Sequence, residues 1–211
     1  MDLRSGEMPV LYMDETNINI HISRGHGRSL AGKRCSVVSA GSKGANIHII
    51  GAISEAGVEH MQVKRGSFKK EDAREWLKEC LRRSMRRHGG PVAMIIDNAP
   101  CHSNIEEVLE DHEFRENIIV RLAPYSPMLN PIEHTWSVVK ADVKRNLAAR
   151  MPEILRAESN SDLSRTEYRL RELETEINRS LPLITSLLCR RNISHINNNI
   201  TKAINLDDME Y

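Results

Sequence analysis

The spacing of apolar and polar residues changes several times along this chain. Val10 to Met13 is a short continuous apolar run closed by Asp14, the pattern of a strand buried on both faces. Asn17 to Ile22 alternates strictly, with Ile18, Ile20 and Ile22 on one side and Asn17, Asn19 and His21 on the other. That predicts a half-buried strand, joined to the first as a hairpin through Asp14-Glu15-Thr16. A Gly- and Arg-containing loop over 23–32 leads to expected strands at Arg34–Ser39 and Ala45–Ile53, which flank a turn at Gly41–Gly44, and then to a strand at Val58–Val63. The first third therefore predicts an antiparallel meander.

The period then becomes helical. Phe68, Ala73, Trp76, Leu77, Cys80, Leu81 and Met85 fall on one stripe, which predicts a helix over Lys69–His88 with Ser67 as its N-cap and Gly89-Gly90 as its stop. Four arginines, Arg82, Arg83, Arg86 and Arg87, crowd its far end, either as a solvated helix end or as phosphate contacts. Val92–Ile96 is a second buried strand ending at Asp97. A short helix around Asn104–His112, a strand at Ile118–Leu122 and a helix from Glu133 to about Arg150 follow. Met151–Ser161, containing Pro152, is expected to break that helix. Leu163, Leu170, Leu173, Ile177 and Leu181 form another helical stripe, and 183–205 is expected to be helical. This order predicts an α/β fold, a mixed sheet flanked by helices, in a domain over 1–150 with a helical C-terminal extension over 151–211.

Composition narrows the class without choosing it. A 211-residue chain with 40% hydrophobic residues supports a real core. Thirty Lys and Arg against 29 Asp and Glu leave the question of nucleic acid to local charge. Cys35, Cys80, Cys101 and Cys189 lie at long, irregular spacings without a CxxC pair, which favours reduced structural thiols. No apolar leader or membrane-length stretch is visible, so an intracellular protein is expected.

The candidate chemistry lies in three carboxylates. Asp14 and Asp97 each follow an apolar strand, and the 82 residues between them suit a crossover to a parallel neighbour. Adjacent strands lie about 4.8 Å apart, so equivalent strand ends could share metal ions. Glu133 comes 35 intervening residues after Asp97, behind Asn130 as a candidate N-cap and Pro131 as the first helical residue, which puts it third in the helix. Three hard oxygen donors suit Mg²⁺ or Mn²⁺. Two such ions, about 3.5–4 Å apart, support in-line displacement at a phosphodiester. Each residue also has a plainer reading. An Asp after a strand is common in turns. Asn130-Pro131-Ile132-Glu133 reads as a capping box. His102 reads as a packed or loop-ordering residue. Glu15 is expected to point away from the face that Asp14 occupies.

The segments DNAPCHS (97–103) and APYSPMLNPIEHTWSVVK (123–140), with YMDETNINI (12–20) and IIGAISEAGV (49–58) before them in order, closely resemble the DDE transposases of the mariner superfamily, Tc type. The resemblance covers about residues 9–147. It implies a ribonuclease H-like fold, places the catalytic, metal-holding Asp, Asp and Glu on Asp14, Asp97 and Glu133, and implies two Mg²⁺ or Mn²⁺ ions. It implies DNA as partner, cut by hydrolysis and joined through a 3′-hydroxyl, and is compatible with a homodimer and with a nuclear or otherwise intracellular location. Lys140, Lys144 and Arg145, on the helix that carries Glu133, are candidates for tracking the phosphate backbone. The chain departs from the family in starting just before the first catalytic strand, without the paired helix-turn-helix modules, and in carrying Ala31 and Met128 where many relatives have Pro and Asp. The alternatives are a catalytically silent, transposase-derived module that binds DNA or protein, and a nuclease acting on RNA–DNA hybrids.

Overall fold

The computed structural model describes residues 8–22, 28–36, 46–124, 126–158 and 162–205. Among the described residues five strands form one mixed sheet: β1 (Val10–Ile18), β2 (Ile47–Ser54), β3 (Gly57–Arg65), β4 (Ala93–Ile96) and β5 (Ile118–Arg121). Their order is β3-β2-β1-β4-β5. The β1–β2 and β2–β3 pairs are antiparallel, while β1–β4 and β4–β5 are parallel. The helices are α1 (Lys70–His88), α2 (Ile132–Ala157), α3 (Arg165–Ser180), α4 (Ser186–His195) and α5 (Asn197–Asn205). Among the described residues no helix is long and apolar enough to cross a membrane.

Alternation along β1 sends its side chains to two cores. Leu11 and Met13 join Ile50, Ala52, Met94 and Ile96 under Trp76, Leu77, Cys80 and Leu81 of α1. Tyr12 and Ile18 join Ile47, Ile49 and Ile53 under Trp136, Val139, Val143 and Leu147 of α2, where Leu173 and Ile177 of α3 and Cys189 and Ile193 of α4 also pack. Residues beyond 150 thus share a core with those before it.

Four expectations change. The hairpin through Asp14-Glu15-Thr16 is absent, because β1 runs unbroken to Ile18 and pairs with β2 from Tyr12 onward. That segment has no Gly or Pro to reverse the chain, and Asp14 and Thr16 are buried. The reversal comes at Asn19, whose carbonyl accepts the Ile22 N–H and whose side chain accepts the His21 N–H. Of the strand expected at Arg34–Ser39, residues 34–36 are not in a strand and the rest lies outside the described residues. Lys69, not Ser67, caps α1, where the Asp72 carboxylate turns back to accept the Lys69 N–H at 2.9 Å. Gly89 ends α1 at φ 76°, as expected of a left-handed cap.

The break expected at Met151 is the fourth change, since α2 continues through Pro152 to Ala157. Pro152 is exposed, while Met151 and Ile154 are buried on the other side of the helix. Apolar packing there outweighs the one backbone hydrogen bond that a proline removes.

The arginine-rich end of α1 is largely engaged within the fold. Arg82 forks onto Glu113, Arg83 pairs with Glu79, and Arg87 donates to the carbonyls of Val58 and Ala56.

Candidate active site

The parallel register sets the centre of the site. Tyr12 pairs with Ile95 at the end of the β1–β4 ladder. Two residues further along each strand stand Asp14 and Asp97, opposite one another and on the same face. Asp14 does not end its strand, as the sequence pattern had suggested. It is the point where β1 leaves β4 while still pairing with β2, opposite Gly51.

Glu133 reaches the same place from α2. Pro131 stands at the helix cap and Glu133 is the second helical residue rather than the third. Asn130 is not a side-chain cap. Its Nδ2 donates to the Met13 carbonyl at 3.1 Å, tying the loop before α2 to the strand beside Asp14. Asp14, Asp97, Asn98, Asn130 and Glu133, with Leu122, Ala123, Pro124, Ser126 and Pro127, line one open cleft of about 440 Å³.

The crowding shifts the carboxylates. Burial, then the charges of Glu133, Asp97 and Glu15, push the Asp14 pKa up to about 8. Burial and Asp97 also raise Glu133, against the opposing charge of Lys140. Asp97 behaves differently. Burial pushes it up, but His102, the Ala99 N–H and Arg121 prevail and hold it below the usual carboxylate range.

Each aspartate has one oxygen held by a donor behind the cleft. The buried Trp136 indole donates to Asp14 Oδ2 at 2.9 Å. Gly51 makes that contact possible, because a Cβ there would come within 2.9 Å of the Trp136 ring. Asp97 Oδ1 accepts the Ala99 N–H at 3.0 Å, and His102 Nδ1 lies 2.8 Å from the same oxygen, at ion-pair distance but outside hydrogen-bond alignment. On its other side His102 Nε2 meets Glu15 Oε1 at 2.8 Å. Burial works against a charged His102, yet Asp97, Cys101 and Glu15 push its pKa up to about 12. Glu15 does face away from the cleft, as alternation along β1 requires, but through His102 it is coupled to Asp97.

The basic residues of α2 divide. Lys140 and Lys144 lie seven and eleven residues beyond Glu133, within about 20° of it around the helix. Arg145 is turned about 100° further round and pairs with Asp142. Sequence reasoning missed Trp136 and the part played by His102. A signal for the first was available, since Trp136 follows Glu133 by three residues at the start of an apolar helical stripe. The second depends on the path of the loop after Asp97, which periodicity does not encode.

Comparison with known proteins gives this arrangement a context. The family described as DDE superfamily endonuclease matches residues 9–155. An uncharacterized 39 kDa protein of insertion element IS630 from Shigella sonnei is 27% identical over 149 residues, covering 69% of this chain and 42% of that protein. The Mos1 transposase catalytic domain, in a structure with Raltegravir and Mg, aligns with a TM-score of 0.59 at 16% identity, over 96% of this chain and 85% of that one. The Mos1 mariner paired-end complex with Mn aligns with a TM-score of 0.52 at 18% identity, over 81% of this chain and 53% of that one. These likenesses establish a ribonuclease H-like fold. The chain spans less than half the length of the insertion-element protein and about half that of Mos1 in the paired-end complex.

Proposed function

Since this chain belongs to the DDE superfamily of endonucleases, we propose that its cleft cuts DNA phosphodiesters and transfers strands during transposition or integration. Asp14, Asp97 and Glu133 are the catalytic residues of this reading and hold two divalent ions, Mg²⁺ or Mn²⁺. The observation that carries it is the convergence of three carboxylates from three separate elements on one open cleft, with Asp14 pushed up to about 8 by burial and its acidic neighbours.

The donor set fits such ions. Carboxylate oxygens are the ligands that Mg²⁺ and Mn²⁺ take. Asp14 is a group whose ionised form a nearby cation would favour. Asn130 Oδ1, also at the cleft, is a buried acceptor with no donor among the described residues. Bound there, divalent ions would activate a water or 3′-hydroxyl and offset charge on the leaving oxygen.

The remaining work belongs to the chain itself. Trp136 and Asn130 fix Asp14 and the strand beneath it against the start of α2. His102 and the Ala99 N–H orient Asp97. Lys140 and Lys144 lie along the stripe that leads away from Glu133 and suit a phosphate backbone, with Arg145 at their exposed flank. α3 and α4 close the α2 side of a catalytic unit over 1–150, and their share in its core supports reading 151–211 as a helical extension. The matched Mos1 paired-end complexes motivate a homodimer holding two DNA ends.

A nicking assay with Mn²⁺ on duplex DNA and on RNA–DNA hybrid tests the proposal. DNA cleavage that is lost in Asp97→Asn is the expected result. Cleavage of the hybrid alone would favour the hybrid nuclease, and no cleavage by a folded, metal-binding protein would favour a silent module.

A further inference from the structure

Between β3 and α1, on the face of the sheet opposite α2, runs a groove whose lining residues share none with the cleft. Its strand side is β3, with His60, Gln62 and Lys64 turned towards α1, and its helix side carries Glu71, Asp72, Glu75, Trp76 and Glu79. β3 is an edge of the sheet. The Gly66 N–H donates to the Asn46 carbonyl, so in this antiparallel pair the backbone groups of residues 64, 62 and 60 also face β2. Those of Met61, Val63 and Arg65 face outward, and they have no hydrogen-bond partner among the described residues. Such an edge is a template for another strand.

The opposite wall carries charge. Glu71, Glu75 and Glu79 recur every fourth residue and form one acidic stripe along α1. Their partners within the fold are slight: Lys78 lies 3.4 Å from Glu75, and Arg83 meets Glu79 on the exposed surface. Exposed pairs of this kind are weak and exchangeable. Asp72 is committed to Lys64 and to capping α1. Trp76, 3% exposed and stacked on His60 at 5.1 Å, has a buried indole N–H without a partner. The groove therefore offers a hydrogen-bonding strand edge, an acidic row and an unused buried donor.

Four helical residues advance about 6 Å, and two strand residues advance about 6.6 Å. Alternate side chains of a strand added beside β3 would therefore repeat at close to the spacing of the acids in the row. We propose that this groove binds an extended basic peptide segment, with Lys or Arg at alternating positions, by adding it as a strand to the edge of β3. The backbone ladder supplies the common part of the affinity, and the Glu71–Glu75–Glu79 row selects the charge pattern. This interaction is separate from the chemistry of the cleft.

The test is fluorescence anisotropy on the full chain with three labelled peptides. One alternates lysine and threonine. Its isomer has the same composition with the lysines consecutive. The third is the alternating peptide N-methylated at the amides that would face β3. The alternating peptide is expected to bind about tenfold more tightly than either of the others. Glu71→Lys with Glu75→Lys, both exposed, should cost about tenfold while leaving the melting temperature and metal-dependent nicking near wild type. Equal affinity for all three peptides would reduce the effect to charge attraction and overturn the proposal. So would sedimentation showing that the edge is occupied by a second copy of the chain, released by the double variant, with no peptide affinity in the wild type.

Discussion

Trp136 and Glu133 lie three residues apart on α2, yet they should fail differently when altered. Trp136→Phe keeps an aromatic ring on this face of α2 but removes the N–H that holds Asp14 Oδ2, together with the Cζ2 and Cη2 atoms that lie over Gly51. Leaving that buried acceptor unpaired should cost about 1–3 kcal/mol and raise the Mn²⁺ concentration needed for half-maximal nicking. An unchanged metal requirement would show that the indole merely packs. Glu133→Gln keeps shape and helix, so stability should change by less than about 1 kcal/mol, while metal-dependent nicking falls by orders of magnitude. Retained cleavage by the folded variant would remove Glu133 from the site. Asp14 makes a pH prediction. Its pKa rises from 3.8 to about 8 in the folded protein, so the folded state holds the proton more tightly than the unfolded state does. The stability this confers is fully present below the unfolded value and is lost as pH rises through about 8. Without divalent ions the melting temperature should carry a downward slope between pH 5 and 8.5, and Asp14→Asn should flatten it. Identical profiles for the two proteins would contradict the assigned environment of Asp14.

α2 carries both the site and a local weakness. Pro152 sits in its interior on the exposed side, and the amide it lacks would have met the carbonyl of Ala148. Because the helix already continues past this point, Pro152→Ala should stabilise by about 1–3 kcal/mol, read as a higher denaturant midpoint with an unchanged slope. A destabilised variant would mean that the proline's fixed φ is needed to steer the chain towards α3. The basic stripe can be tested with DNA. Lys140→Ala and Lys144→Ala should each lower the salt dependence of binding by about one unit in the slope of log K against log salt. Arg145→Ala should do less, because Asp142 already holds that guanidinium. Equal slopes in all three variants would move the DNA path off this face of α2.

Across the whole molecule, the two cores back onto one sheet, and the cleft opens where β1 and β4 part. Divalent ions should bind the folded chain and not the unfolded one, so Mg²⁺ or Mn²⁺ should raise the melting temperature. The rise should be larger at pH 8.5 than at pH 6, because Asp14 must release a proton to become a ligand. Asp97→Asn should lose most of the effect. Equal stabilisation of the two proteins would locate the ions elsewhere.

Much of this was legible in the order of residues. Continuous apolar runs at Val10–Met13 and Val92–Ile96 mark two buried strands, and the stripe from Phe68 to Met85 marks the crossover helix between them. With Asp14 and Asp97 after those runs and Glu133 behind Asn130-Pro131, three candidate carboxylates were within reach of local pattern alone, and the resemblance to mariner-type transposases placed the catalytic triad on them. Local pattern misled where several conformations satisfy the same residues. Alternation at Asn17–Ile22 looked like a second strand, Asn130 looked like a helix cap, and Pro152 looked like a break. In each case long-range contacts decided. β2 pairs along all of β1 after Val10 and Leu11, the Met13 carbonyl takes the Asn130 amide, and buried Met151 and Ile154 hold α2 straight through the proline. The hold of Trp136 on Asp14 and of His102 on Asp97 spans 122 residues in one case and a turn of loop in the other. Spacing cannot report a hydrogen bond whose partners are brought together only when the sheet and α2 close on one another.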